Sequence, residues 1–102
     1  TPLYSSAASD VYKRQANKKM LKTNFLNSSL KEVTFIGANL SNSVFENSNL
    51  DGATFNDTQL AGADFTLAQN YKIDPEFNPM RKAKFSSLGI VGLLDKYDIK
   101  IE

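Results

Sequence analysis

Large apolar residues recur at every fifth position through the middle of the chain. Nine consecutive positions follow this spacing without a gap, and Phe alternates strictly with Leu. They are Phe25, Leu30, Phe35, Leu40, Phe45, Leu50, Phe55, Leu60 and Phe65. A small or β-branched residue lies two positions before each of them, and most of the remaining positions carry Asn, Asp, Ser or Gly. A fixed short period of this kind predicts a repeat architecture over residues 23–67.

A spacing of five suits neither an α-helix nor a straight strand. On a helix, five steps come to about 500°, so the nine residues would be distributed around the whole axis. On a straight strand, an odd step would direct successive Phe and Leu to opposite faces. If the chain instead bends after every five residues, each short extended segment can direct its central residue, and the residue two before it, inward. Four such bends close a coil of about 20 residues, with Asn, Asp, Gly and Ser at the corners, where turn conformations suit them.

Residues one coil apart should then stack at the ordinary strand spacing of about 4.8 Å. The alternation of Phe and Leu places Phe25 under Phe45 and Phe65, and Phe35 under Phe55. Two opposite sides of the coil are therefore expected to be lined by Phe and the other two by Leu. The predicted fold class is an all-β solenoid.

Three copies of the repeat carry a recognisable motif, namely Ala38-Asn39-Leu40, Ser48-Asn49-Leu50 and Ala63-Asp64-Phe65. This motif resembles that of the pentapeptide-repeat family, in which a small residue, Asp or Asn, and Leu or Phe precede two variable positions. The resemblance implies a right-handed quadrilateral β-helix. Val33 and Thr58 depart from the alanine that the family prefers, but both side chains are compact.

The C-terminal third, residues 70–102, resembles the tail found on many bacterial members of this family. Ala83 and Phe85 repeat the small-x-Phe pattern, and Phe85 follows Phe65 by 20 positions, so it should extend the same stack. Residues 70–82 are expected to form a looser coil, because Pro75 and Pro79 cannot donate to the ladder.

An apolar run follows Phe85 without the five-residue period. It predicts a short helix of about two turns with Ser86 or Ser87 as its N-cap, and residues 99–101 alternate as a short strand would. A solenoid needs a covered end. One interpretation is therefore that this segment covers an end of the solenoid. The other is an interaction surface, and the residues that would form it are Ile90, Val91 and Leu94.

The first part of the chain shares nothing with the repeats. Residues 1–19 are interpreted as a non-repeat leader, disordered or foreign to the protein, before a repeat domain at 20–69 and a final coil and cap at 70–102. The chain would then be the C-terminal fragment of a longer repeat protein, with an uncovered first coil. Such an edge would favour a homodimer through an end of the solenoid.

Composition removes most catalytic chemistry. The chain has no His and no Cys, and no glycine-rich phosphate loop or metal-spaced cluster, so no catalytic, cofactor-binding or metal-binding residue is assigned. The absence of a signal peptide and of a long apolar run indicates a cytoplasmic protein without membrane contact. The formal charge of +1 divides into +4 for residues 1–22, −4 for 23–69 and +1 for 70–102.

Two functions are compatible with these features. The first is a non-enzymatic scaffold that binds a protein partner. The second comes from the resemblance, because some pentapeptide-repeat proteins protect topoisomerases such as gyrase from quinolones by imitating DNA with an acidic rod. The net charge of −4 over the repeats is far below that of duplex DNA, which carries about one charge per 1.7 Å, so the scaffold is the preferred hypothesis. No direct binding of nucleic acid is expected.

Overall fold

The fold is a β-solenoid whose short strands pair in parallel from one coil to the next. The computed structural model describes residues 3–4, 14–16, 19 and 21–101. Its strands are β1 (Leu3–Tyr4), β2 (Arg14–Ala16), β3 (Asn24–Phe25), β4 (Thr34–Ile36) and β5 (Thr54–Asn56). β1 pairs with β3, and β2, β4 and β5 form one parallel sheet in that order.

The register of the pairing gives the length of the coil. Gln15 pairs with Phe35, and Phe35 with Phe55, so each partner lies 20 residues further along. Isolated parallel bridges continue the same register on the other three sides, as between Asn39 and Gln59. The predicted period of 20 residues, with four short sides in each coil, is therefore the observed one.

Phe rings form the centre of the interior. The rings of Phe25 and Phe45 stack at a centroid distance of 4.8 Å, those of Phe45 and Phe65 at 4.5 Å, and those of Phe65 and Phe85 at 5.3 Å. Phe35 and Phe55 form the second stack at 5.1 Å. Every central Phe and Leu from position 25 to position 65 is buried, whereas Phe85 is half-buried at the end of its column.

Polar side chains inside the coil bind backbone carbonyl groups that turn inward. The hydroxyl of Ser48 donates to the carbonyl of Phe25, and the hydroxyl of Thr58 donates to that of Phe35 at 3.1 Å. Asn78 takes the same place one coil later, because its amide donates to the carbonyl of Phe55 at 3.0 Å. Each donor lies 23 residues after its acceptor, so these bonds link successive coils and keep buried polar groups satisfied.

The corners of the coil require a left-handed backbone. The residue two positions after each central Phe or Leu from Phe25 to Leu60 has a positive φ, and the series starts one repeat before Phe25. Its nine members are Lys22, Asn27, Glu32, Gly37, Asn42, Asn47, Gly52, Asp57 and Gly62. Gly, Asn and Asp suit this conformation, whereas Lys22 and Glu32 adopt it at a steric cost.

The Asn or Asp that precedes the central residue stabilises the following turn. The Asn49 side-chain oxygen accepts the backbone N–H of Asp51 at 3.1 Å, and a carboxylate oxygen of Asp64 accepts that of Thr66 at 2.9 Å. These are short-range Asx interactions. They give a physical reason for Asn or Asp at this position of the repeat.

Two short parts of the leader lie within the described residues. Arg14–Ala16 pairs with β4 and Leu3–Tyr4 with β3. Most of the leader, including residues 5–13, lies outside the described residues. The disorder or foreign origin of the leader and the domain boundaries at 19 and 69 stay predictions.

We predict that a Phe in the middle of the stack contributes more stability than the one at its end. Phe45→Ala should lower the free energy of unfolding by about 3–5 kcal/mol, because it leaves a cavity between two rings. Phe85→Ala should cost less, since its ring is half-buried. Chemical denaturation of both variants measures the difference, and equal losses would contradict a stack in which interior positions have neighbours on both sides.

We also predict that a glycine stabilises the corner that Glu32 now occupies. Glu32→Gly removes the strain of a left-handed non-glycine residue, which stabilises the fold by about 1–2 kcal/mol. It also raises the entropy of the unfolded chain, which costs about 0.5–1 kcal/mol. The free energy of unfolding should therefore rise by about 0.5–1 kcal/mol. The reverse change at the stacked corner, Gly52→Ala, should destabilise. Lys31→Gly is the matched control, because Lys31 is the adjacent exposed residue and is absent from the positive-φ set. A stabilisation by Lys31→Gly equal to that by Glu32→Gly, in thermal denaturation, would refute this explanation.

Candidate protein-interaction surface

The tail after Phe85 folds as two short 3₁₀-helices, at Ile90–Leu93 and Asp95–Tyr97. Ser86 begins this segment, because its hydroxyl oxygen accepts the backbone N–H of Gly89 at 3.0 Å. The predicted helix of about two turns is therefore replaced by two short 3₁₀-helices, and the first helical residue is Ile90. The predicted strand at residues 99–101 is also wrong, since no strand is assigned there and the described residues 99–101 are exposed.

Gly92 brings the tail into contact with the last coil. A Cβ atom at this position would lie 2.0 Å from the backbone oxygen of Tyr71, and the Gly92 carbonyl accepts the N–H of Ile73 at 3.1 Å. Leu93 packs against the core beside this contact. Because only glycine permits so close an approach, the turn at Gly92 fixes the position of the whole segment.

Lys96 holds the second 3₁₀-helix against the loop that contains Pro75. Its ammonium group lies 3.0 Å from a carboxylate oxygen of Asp74 and also contacts Glu76. The same group lies 5.2 Å from the centre of the Tyr97 ring. The hydrogen bond to Glu76 raises the pKa of Lys96 above its ordinary value, and the hydrogen bond and charge of Asp74 act in the same direction, whereas some desolvation opposes them. Lys96 is therefore a cation at neutral pH.

An open groove of about 580 Å³ separates this tail from one side of the coil. Leu88 and Val91 line it from the tail, and Ala68 and Tyr71 line it from the coil. Leu88 is 93% exposed at its rim. The hydroxyl group of Tyr71 is buried with no hydrogen-bond partner among the described residues, although about 90% or more of buried polar groups normally have one.

The structure separates the three residues that the sequence marked as an interaction surface. Ile90 and Val91 are 46% and 49% exposed, and Val91 alone of the three lines the groove. Leu94 is half-buried between the two 3₁₀-helices.

Leu88 also belongs to this surface, although it was not among the residues predicted from the sequence. It lies two positions before the in-phase Ile90, at a place where every copy from Phe25 to Phe65 has a compact side chain. A leucine is larger than any of these residues. The end of the coil, and an outward-facing leucine at its rim, could therefore have been predicted from residue size.

The acidic residues of the repeats do not form one stripe. Asp64 and Glu46 lie on the Phe45 and Phe65 side, Asp51 on the next side, and Glu32 and Asp57 at different corners. Partial burial opposes ionisation of Asp64, but hydrogen bonds from the Thr66 hydroxyl and backbone and the charge of Lys84 together lower its pKa. Nothing in this arrangement among the described residues favours a DNA mimic.

Two other kinds of site have no candidate in the described part of the chain. No group of three or more acidic side chains there is placed to hold a metal ion. No helix within residues 21–101 has the length and apolarity needed to cross a membrane.

Comparisons with known proteins agree with the observed repeat. A family model described as pentapeptide repeats matches residues 20–66 with eight copies. Residues 20–66 therefore consist of pentapeptide repeats, as the motif indicated. No curated protein matches the chain.

Among solved structures, the chain is similar to two trypsin-treated variants of QnrB1, described as a plasmid-mediated fluoroquinolone resistance protein. Both are 14% identical to this chain, with a TM-score of 0.27. The matches cover 84% and 87% of this chain and 59% and 58% of the QnrB1 chains. The chain thus spans less than two thirds of their length, and a likeness at this level supports no assignment of function.

We predict that Gly92→Ala releases the tail from the coil. The added methyl group would collide with the backbone of residue 71, which cannot move without disturbing the hydrogen bond to Ile73. Amide hydrogen exchange should accelerate by more than about tenfold across residues 88–97, corresponding to a local loss above about 1.4 kcal/mol. Ser87→Ala, an exposed change in the same segment, should leave the exchange unchanged, and equal protection in both variants would disprove the role of Gly92.

Proposed function

We propose that this chain is a non-enzymatic protein-binding module, a right-handed quadrilateral β-helix whose partner binds at the C-terminal end. The solenoid supplies a rigid support, and the groove between its last coil and the tail receives the partner. Proteins of this family generally act as structural or interaction modules, and the absence of His and Cys supports the same conclusion.

The observation that carries the proposal is the concentration of exposed apolar side chains near the tail. Seven of the nine exposed large apolar residues that the structure describes fall within positions 77–101. They are Phe77, Leu88, Ile90, Val91, Tyr97, Ile99 and Ile101. Clustered apolar exposure on a folded protein marks an interaction site, whereas single exposed residues do not.

The Tyr71 hydroxyl supports a binding role for the groove itself. It lies beneath the turn at Gly89, since a Cβ atom there would be 1.9 Å from the hydroxyl oxygen. A small displacement of this turn would open the hydroxyl to a backbone carbonyl of a bound polypeptide. Binding would then remove an unsatisfied polar group, which contributes about 1–3 kcal/mol.

Site-specific photo-crosslinking in cells that express the chain naturally tests the proposal. A benzophenone amino acid at Leu88 should give a discrete adduct with one protein, and Val91→Asp should abolish it by placing a charge on the apolar part of the groove, which Ala68 and Leu88 also line. The matched position is Lys31, an exposed site on the coil, where no such adduct is expected. The same adduct from both positions, or none from Leu88, would overturn the assignment of this surface.

An adduct composed of two copies of the chain would identify the partner as the protein itself. Mass spectrometry of the adduct, together with light scattering of the purified chain, separates a homodimer from a complex with another protein. Either result retains a protein-binding function at the groove.

A further inference from the structure

One side of the solenoid carries only positive charge. This side consists of residues 19, 21–22, 38–42, 58–62 and 78–82. The first coils pair through Lys19, Asn39 and Gln59 in the parallel ladder, and the last coil joins them where the N–H of Leu60 donates to the carbonyl of Pro79 at 2.7 Å. Its ionisable residues are Lys19, Lys22, Arg81 and Lys82, with no Asp or Glu. All four are exposed, and no described ion pair includes them.

The backbone fixes where these charges lie. Arg81 is anchored through its carbonyl, which accepts the N–H of Gly62 at 2.9 Å, and the N–H of Lys22 donates to the carbonyl of Ser41 at 3.0 Å. Lys22 and Lys82 occupy the same left-handed corner three coils apart, which is roughly 14 Å at strand spacing. This side of the solenoid therefore has basic residues at both ends and neutral residues between them.

An open groove of about 560 Å³ runs beside the more cationic end. Arg81, Lys82 and Lys84 line it, together with the small or neutral Ser41, Asn42, Ala61 and Gly62. Lys84 lowers the pKa of Asp64 through its charge, but Asp64 does not line the groove. The side-chain oxygen of Asn42 lies over Gly62, because a Cβ atom there would be 2.1 Å from it.

We propose that this cationic side binds an extended acidic peptide of a partner protein, at a site separate from the tail groove. Two acidic groups about four residues apart along an extended segment would reach both ends of the side, since a strand rises about 3.3 Å per residue. The neutral Asn and Gln side chains between them can bind the peptide backbone.

The lining of the groove favours a peptide over nucleic acid. Single-stranded nucleic acid is usually held by aromatic side chains that stack on the bases, and no aromatic residue lines this groove. Firm binding of a duplex commonly uses about 6–10 phosphate contacts, more than the cations of this side can provide.

Fluorescence anisotropy with a labelled peptide tests the proposal. The probe has two glutamates at each end of a Gly-Ser spacer of about four residues, and its glutamine counterpart is the neutral reference. The wild-type chain should bind the acidic probe, with affinity that falls as salt rises, and should not bind the reference. Arg81→Gln combined with Lys82→Asn should weaken binding by roughly tenfold or more, and Asn is chosen because it tolerates the left-handed backbone.

The matched control is Lys31→Gln combined with Lys100→Gln, which removes the same charge from exposed residues elsewhere. It should change the affinity by less than about twofold, with melting curves confirming that both variants are folded. Equal weakening by the two pairs, or no binding of the acidic probe, would overturn the proposal. Tighter binding to a short single-stranded DNA or to anionic vesicles would also overturn it in favour of that ligand.

Val91→Asp should leave binding of the acidic peptide intact, because Val91 lies at the tail groove. A failure of this proposal is therefore distinguishable from a failure of the proposed function at the tail groove.

Discussion

Closure of the backbone into a coil of 20 residues is the constraint on which the rest of the molecule depends. So narrow an interior accommodates one large side chain on each side, which explains the compact residue two positions earlier. It also requires a sharp bend every five residues, and the corners from Lys22 to Gly62 meet this requirement with a left-handed residue. The period, the residue sizes and the corner conformations are thus consequences of one geometric requirement.

The same closure creates a demand for internal hydrogen bonds. The carbonyl groups of some central Phe residues need a partner from the next coil, because buried polar groups must be satisfied. Ser48, Thr58 and Asn78 perform this role. The central Phe and Leu residues supply apolar burial, and these polar links hold neighbouring coils in one register.

Features that depend on this repeat were predictable from the sequence, because residue size and spacing are written directly into it. The stacking order of Phe25, Phe45, Phe65 and Phe85 followed from counting alone. The left-handed backbone at Lys22 and Glu32 did not, since neither residue prefers it, and the constraint comes from the coils on either side. Asn78 was equally hidden, because a buried amide is recognisable only once its acceptors are located.

The candidate interaction surface was less predictable because it lies where the period ends. Beyond Phe85 the apolar pattern suggested a helix, but local preference was overridden by contacts of Gly92 with Tyr71 and of Lys96 with Asp74, which join residues 20 or more positions apart. Inside the repeat every inward position is committed to closure, whereas outward side chains and the tail are free to vary without loss of the fold. Recognition by a partner must therefore depend on these outward and terminal positions, and the two sites proposed here, one apolar and one cationic, lie on such positions.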